Sequence, residues 1–350
     1  LFIGAYATAL LLIVGLVEIF DVASHLDFFK EWPDGSTAPT SWILRYCALN
    51  APFLYLQVAP FVTTAAALFT ISKLLKHNEL VACLNAGISA RRLFLPLYLG
   101  ALFVAVGMFA LRETATTRLG FERDRLADVL DQQTDDRKID TIRMRDVEGN
   151  VVIAARFFPE RERIENLQVI GRRGAVYFVV SADSATWDSE AVPTPCWRLV
   201  GGHLREELGE TSKRSEIERL EQVDFTPRDL LLARKGDKDP MGLSFTEIGR
   251  LAARDPYNLE YQTLFHYHLT FPLANLVLVL ITVPFMVGRE RGKNLEGVVA
   301  ASMMCVVYFA LDFVTRSLGM DGSLAPLWAS WTTVLVFGSL GSALTEGMRT

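Results

Sequence analysis

The stretch Ser72–Leu93, SKLLKHNELVACLNAGISARRL, decides how the rest of the chain is read. It separates two long runs without a charged residue, Tyr46–Ser72 and Leu93–Leu111. If both runs cross a bilayer, a few polar residues would suffice as a connection. This stretch instead carries the marks of a short helix over about residues 77–88. Asn78 stands at an N-cap position, and Glu79 just after it complements the helix dipole. Leu80, Val81 and Leu84 fall on one face. Gly87 suits the position after the C-cap, and Ser89 can cap the next helix. On physics alone this is a helix lying across the ends of two spans. It is either a surface linker or a docking element for another protein.

The composition supports the spans. The 350 residues are 51% hydrophobic yet 21% charged, and the mean hydropathy is +0.25. Both hold only if apolar and charged residues are segregated along the chain. A spanning helix needs about 20 mostly apolar residues. Leu1–Val17, which can continue to about Leu26, Tyr46–Ser72, Leu93–Leu111, Leu264–Gly288, Gly297–Leu318 and Gly322–Thr345 qualify. Asp312 and Arg316 interrupt the fifth. Leu1–Val17 has no basic flank or cleavage motif and reads as a retained anchor, with the native start expected upstream.

The expected organisation is therefore residues 1–111 as three spans with the short helix, 112–260 as a polar insert, and 261–350 as three more spans. The insert holds 24 of the 35 Lys and Arg and 29 of the 40 Asp and Glu, which accounts for the net charge of −5. That balance gives no basic face for nucleic acid. Lys73, Lys76, Arg91 and Arg92 crowd the second loop, and Arg289, Arg291 and Lys293 the fourth. The positive-inside rule then puts those loops and both termini in the cytoplasm and the insert outside. Cys47, Cys83, Cys196 and Cys305 show neither a disulfide framework nor a zinc spacing.

The insert begins as β structure. IDTIRMRDVEGNVVIAARFF alternates and turns at Glu148–Asn150; LQVIGRRGAVYFVVSA turns at Arg172–Gly174. SADSATWD and CWRLVGGHLREE add strands, with Trp187 and Trp197 as core aromatics. The pattern suggests a sandwich or jelly roll, with positions such as Ile153 and Val180 facing inward. Thr226–Asp229 and Ser244–Glu247 then open helices, the second running to about Arg254.

Enzyme signatures are weak. The nearest approach to a nucleotide-binding loop, Gly288 to Asn294, has the wrong spacing and lacks the hydroxyl. Gly87-Ile88-Ser89 is not a nucleophile elbow. His266 and His268 lie on different helix faces and make a poor metal pair. Charged residues inside spans are functional candidates instead: Glu18, Asp21 and His25 in the first, and Asp312 with Arg316, spaced as an ion pair, in the fifth.

K-L-x-x-x-N-E-L-V-A-x-x-x-A-G-I-S-x-x-R, between the second and third spans, resembles the loop of the lipopolysaccharide-export permeases of the LptF/LptG type. So does the order of three spans, β-rich domain, three spans. Ala182, Ala185 and Trp187, then Trp197, Leu199 and Gly202, and Phe265 to Ala274 add weaker matches. The F type or G type stays open, because Trp331-Thr332-Thr333 stands where the family commonly has Pro-Asn. The resemblance implies an α-helical polytopic membrane protein with six transmembrane helices and an inserted periplasmic β-jellyroll, in the bacterial inner membrane. It implies a non-enzymatic permease subunit, paired with a second permease on a cytoplasmic ABC ATPase dimer that binds ATP and Mg. Lipopolysaccharide would pass to a periplasmic jellyroll transfer protein. Glu79, Leu80, Leu84, Gly87 and Ser89 would form the ATPase-coupling helix. Lys30, at the mouth of the first span, would meet lipid phosphates, with Arg45 and Arg316 next in line. An ABC permease for another lipid or lipoprotein, or a membrane sensor or scaffold with a β-rich outside domain, are the alternatives; co-purification with an ATPase separates a permease from a sensor.

Overall fold

The computed structural model describes residues 1–24, 40–130, 139–146, 148–191, 195–208, 211–221, 223–287 and 294–348. Lys30, His25 and the fourth loop's Arg289, Arg291 and Lys293 lie outside the described residues. The chain forms two compact units, residues 1–130 with 262–350, and residues 131–261.

In the first unit the helices are α1 (Phe2–Ser24), α2 (Thr40–Lys76), α3 (Glu79–Asn85), α4 (Ala90–Leu130), α7 (Leu259–Val287), α8 (Asn294–Met320) and α9 (Pro326–Gly347). All but α3 contain a segment long and apolar enough to cross a membrane. The third span was expected to end at Leu111, yet the helix runs on to Leu130. The added residues are polar but rich in helix formers, and no proline stops them. α7 is the most enclosed span and α1 the least. Large apolar side chains such as Ile3, Leu11 and Phe103 point outward, as lipid-facing residues must. Inside, the Thr63 hydroxyl of α2 donates to Asn275 Oδ1 of α7 at 2.6 Å, pairing two buried polar groups across helices.

The second unit is an antiparallel sheet with two helices. Its strands are β1 (Ile139–Arg145), β2 (Val151–Phe158), β3 (Arg163–Arg173), β4 (Val176–Asp188), β5 (Cys196–Val200), β6 (His203–Leu208), β7 (Thr211–Glu216) and β8 (Arg219–Leu220). They run β1-β2-β3-β4-β5-β8, with β6 beside β4 and β7 beside β6. One residue in each of four neighbouring strands, Thr141, Ala155, Asn166 and Asp183, drops out of the pairing without shifting the register. Gly201, between β5 and β6, extends the row, since both strands keep one register against β4. Thr141, Asn166 and Gly201 have φ of 36°, 52° and 65°, the left-handed region.

This row changes which face is buried. Along β2 the inward residues are Val152 and Ala154, then Phe157; along β3 Ile164, then Leu167 and Val169; along β4 Phe178, Val180 and Ala182, then Ala185. The parity switches at the row in each strand. Ile153, expected inward, therefore lies on the face opposite Val152 and Ala154, whereas Val180 is fully buried.

α5 (Pro227–Lys238) and α6 (Phe245–Arg254) follow the sheet, each opened by a capping box, Thr226 with Asp229 and Ser244 with Glu247. Leu230 and Ala233 of α5 join the sheet's core around Trp197. The Trp197 indole stacks on Phe225 at 5.3 Å and its Nε1 donates to the Phe225 carbonyl at 2.8 Å. Trp197→Phe keeps an aromatic ring but leaves that carbonyl without its donor. It is expected to destabilise the chain by about 1–3 kcal/mol, read as a lowered thermal midpoint in detergent. An unchanged midpoint would contradict the role given to this bond.

Candidate functional site

α2 does not fade out into a loop. Lys73 and Lys76 occupy its last turn, where cations favour the C-terminal end of the dipole. Asn78 then turns the chain with φ 58°. Asn78 sits at the N-cap of α3, as the sequence suggested, but its side chain makes no capping bond. Its contribution is conformational, because asparagine tolerates the left-handed region better than most residues.

α3 has a single buried residue, Leu80, at 3% exposure. Leu80 packs with Ile71 of α2, Phe94 and Leu97 of α4, and Val279, Val283 and Met286 of α7; Leu84 packs against the same cluster. These two leucines therefore hold α3 to the spans. Glu79, Ala82, Asn85, Ala86, Gly87 and Ile88 form the exposed side. The helix closes with a Schellman arrangement: Gly87 N donates to the Leu84 carbonyl at 3.0 Å and Ile88 N to the Cys83 carbonyl at 3.1 Å. Gly87 supplies the required positive φ, 79°. Ser89 stands immediately before α4, its carbonyl accepting from Leu93 N at 3.1 Å. Arg91 anchors the same region to α9 through the Glu346 carbonyl at 3.0 Å. Among the described residues, Glu79 has no ion-pair partner, so its carboxylate is open to a cation from outside.

Of the residues named for substrate, Arg45 and Arg316 are described, and each has a partner of its own. Lys30 lies outside the described residues. Arg45 pairs with Glu122 at 2.9 Å on an exposed surface. Arg316 places its guanidinium over the Tyr267 ring, 4.6 Å from the centroid. Asp312, expected as its ion-pair partner one turn earlier, is 7% exposed. Tyr267 has Asp312, Arg316 and Arg112 as electrostatic neighbours, and Arg112 is itself buried. Sequence reasoning missed Tyr267 and Arg112 as members of this cluster. The signal was available in part: a tyrosine among histidines at the start of the fourth span, and an arginine at the apolar limit of the third. What spacing could not show is that α4, α7 and α8 bring them together.

The histidines behave differently from one another. His268 is buried, with Nδ1 2.6 Å from the Leu264 carbonyl one turn back, whereas His266 is partly exposed and packs edge-on to Phe265. Among the described residues no group of His, Cys, Asp or Glu is arranged to hold a metal ion.

The arrangement thus offers a short helix, exposed on one side and packed on the other through Leu80 and Leu84. The model of the lipopolysaccharide export system permease LptF/LptG family matches residues 1–346. The chain belongs to this family. None of the curated proteins matches the sequence. Membership brings the role of a permease, a transport subunit rather than an enzyme, in lipopolysaccharide export, and a multi-pass place in the inner membrane. It also accounts for the fold, six spanning helices with a β-rich domain inserted between the third and fourth.

Substitution at Gly87 separates conformation from bulk. A Cβ there would meet nothing within 4 Å, so only the positive φ resists it. Gly87→Val should cost about 1–2 kcal/mol locally and speed amide exchange over residues 79–88. Gly87→Asn should stay near the parent. Equal exchange in the two variants would show that α3 does not depend on its C-terminal turn.

Proposed function

We propose that the permease works as the membrane subunit of an ATP-driven exporter and that α3 receives the ATPase's motion. The observation that carries this is the split in α3. Leu80 and Leu84 are turned into the spans while Glu79, Ala82, Asn85 and Ile88 are presented outward. A helix meant only to join two spans would gain nothing from an outward face whose acid has no ion-pair partner among the described residues. A helix meant to transmit a push needs both halves.

On this reading the ATPase pair lies in the cytoplasm, holds ATP and Mg, and grips α3 from below. Displacement of α3 moves α2, α4 and α7 together, because Leu80 and Leu84 belong to one packed cluster with side chains of all three. A second permease completes the lipid path. Lipopolysaccharide leaves the outer leaflet of the inner membrane and passes by the β domain to a periplasmic jellyroll partner. Lys30, Arg45 and Arg316 are the cations proposed to meet the lipid's phosphates. Arg45 is exposed and free to exchange Glu122 for a phosphate, since an exposed pair of this kind is held by about 0–1 kcal/mol. Arg316, stacked on Tyr267, is proposed to act from a fixed position.

Glu79→Ala tests the reading. If the carboxylate meets a basic group in a desolvated groove, its loss costs roughly 2–5 kcal/mol of association. The variant should recover the ATPase poorly, or hydrolyse ATP without moving lipid, while its helical spectrum stays that of the parent. Normal ATPase recovery together with normal lipopolysaccharide release from proteoliposomes would sink the docking role.

A further inference from the structure

The export reading gives Arg316 a task and Asp312 none. Asp312 is an acid in a spanning helix and is 7% exposed. An ionisable group placed there is costly and points to a function.

Asp312 and Arg316 stand four residues apart on α8, so they share one face of that helix. The two are electrostatic neighbours, and Tyr267 of α7 is a neighbour of both. Tyr267 is 6% exposed and packs on Phe271, with ring centroids 5.2 Å apart, which leaves its ring little room to move. The Arg316 guanidinium lies over that ring, 4.6 Å from the centroid. Arg316 is only partly buried. The cation therefore keeps accessible surface while the carboxylate beside it is enclosed. Tyr267 is in the first three turns of α7, which follows the β domain, so the cluster lies at that end of the spans.

A carboxylate in this place has two effects. It offsets the cost of holding a guanidinium within a span. It also repels any anion that the guanidinium attracts, and does so more strongly where water is scarce. In a purely structural ion pair, removing the acid would weaken the fold and the lipid's hold together. A transported lipid adds a second requirement, because it must be let go in every cycle. Tighter binding is mostly slower release.

We propose that Asp312 weakens the grip of Arg316 on the lipid's phosphate, so that the lipid can leave. The inference rests on the reading of Arg316 as a phosphate contact. Tyr267 holds the guanidinium in place, so the charge of Asp312 sets the strength of that contact rather than its position.

The test uses the full chain assembled with its partner permease and ATPase in proteoliposomes. Lipopolysaccharide content is varied, so that the content giving half-maximal release is read separately from the maximal rate. Asp312→Asn removes the charge and keeps the shape. It should lower the half-saturating content about tenfold and lower the maximal rate as well. Asp312→Glu should stay near the parent. Arg316→Ala should raise the half-saturating content, and Asp312→Asn added to it should no longer tighten binding. With lipopolysaccharide stripped of its phosphates, Asp312→Asn should change neither quantity. If Asp312→Asn fails to fold by circular dichroism, Asp312→Ser takes its place. A half-saturating content that rises or stays unchanged in Asp312→Asn would overturn the proposal and leave a structural ion pair, as would equal tightening with the phosphate-free lipid. If Arg316→Ala releases lipid as the parent does, the phosphate reading of Arg316 falls, and this inference with it.

Discussion

Burial of Leu80 is the contact on which the functional geometry depends. A seven-residue helix has no stability of its own in water, since nucleation alone is unfavourable. α3 exists because Leu80 inserts among Ile71, Phe94 and Val283 and because Gly87 closes the last turn. Full burial of one leucine is worth about 1.5–3 kcal/mol, comparable to what a helix this short lacks. The same contact fixes the direction of the opposite face. With Leu80 inward, Glu79 and Ala82 have to point out. Stability and presentation therefore come from one side chain.

Much of this was legible in the sequence, because the controlling patterns are local. Charge-free runs of about 20 residues identify spans. The positions of Asn78 and Gly87 mark the ends of α3 from a handful of residues. The capping boxes at Thr226 and Ser244 did the same for α5 and α6. Asn78 stands where an N-cap is expected, but its side chain caps nothing, and its backbone conformation is what the turn requires. A single residue type favoured by two mechanisms cannot report which one operates.

The β domain shows where local reading stops. Alternation along β2 is correct on either side of Ala155 but changes parity there. A one-residue phase change moves a strand's side chains to the other face, so Ile153, which alternation expects inward, lies opposite Val152 and Ala154. The row from Thr141 to Gly201 runs across strands far apart in sequence. Only pairing reveals it. The same limit applies to charge. Asp312 and Arg316 stand one turn apart and read as a local pair. The fold keeps the two as electrostatic neighbours and adds to them Tyr267, under the Arg316 guanidinium, and Arg112, a cluster drawn from α4, α7 and α8. No spacing rule within one helix could have named it.

The central claim is that the outward face of α3 meets the ATPase while its inward face holds the spans. A photo-reactive amino acid placed in turn at Ala82, Asn85 and Leu84, in the permease assembled with its ATPase, tests it most directly. Ala82 and Asn85 should cross-link to the nucleotide-binding subunit, with a yield that changes on ATP addition, and Leu84 should cross-link only within the permease. Cross-links from Ala82 and Asn85 to lipid alone would contradict the account and leave α3 as a surface linker.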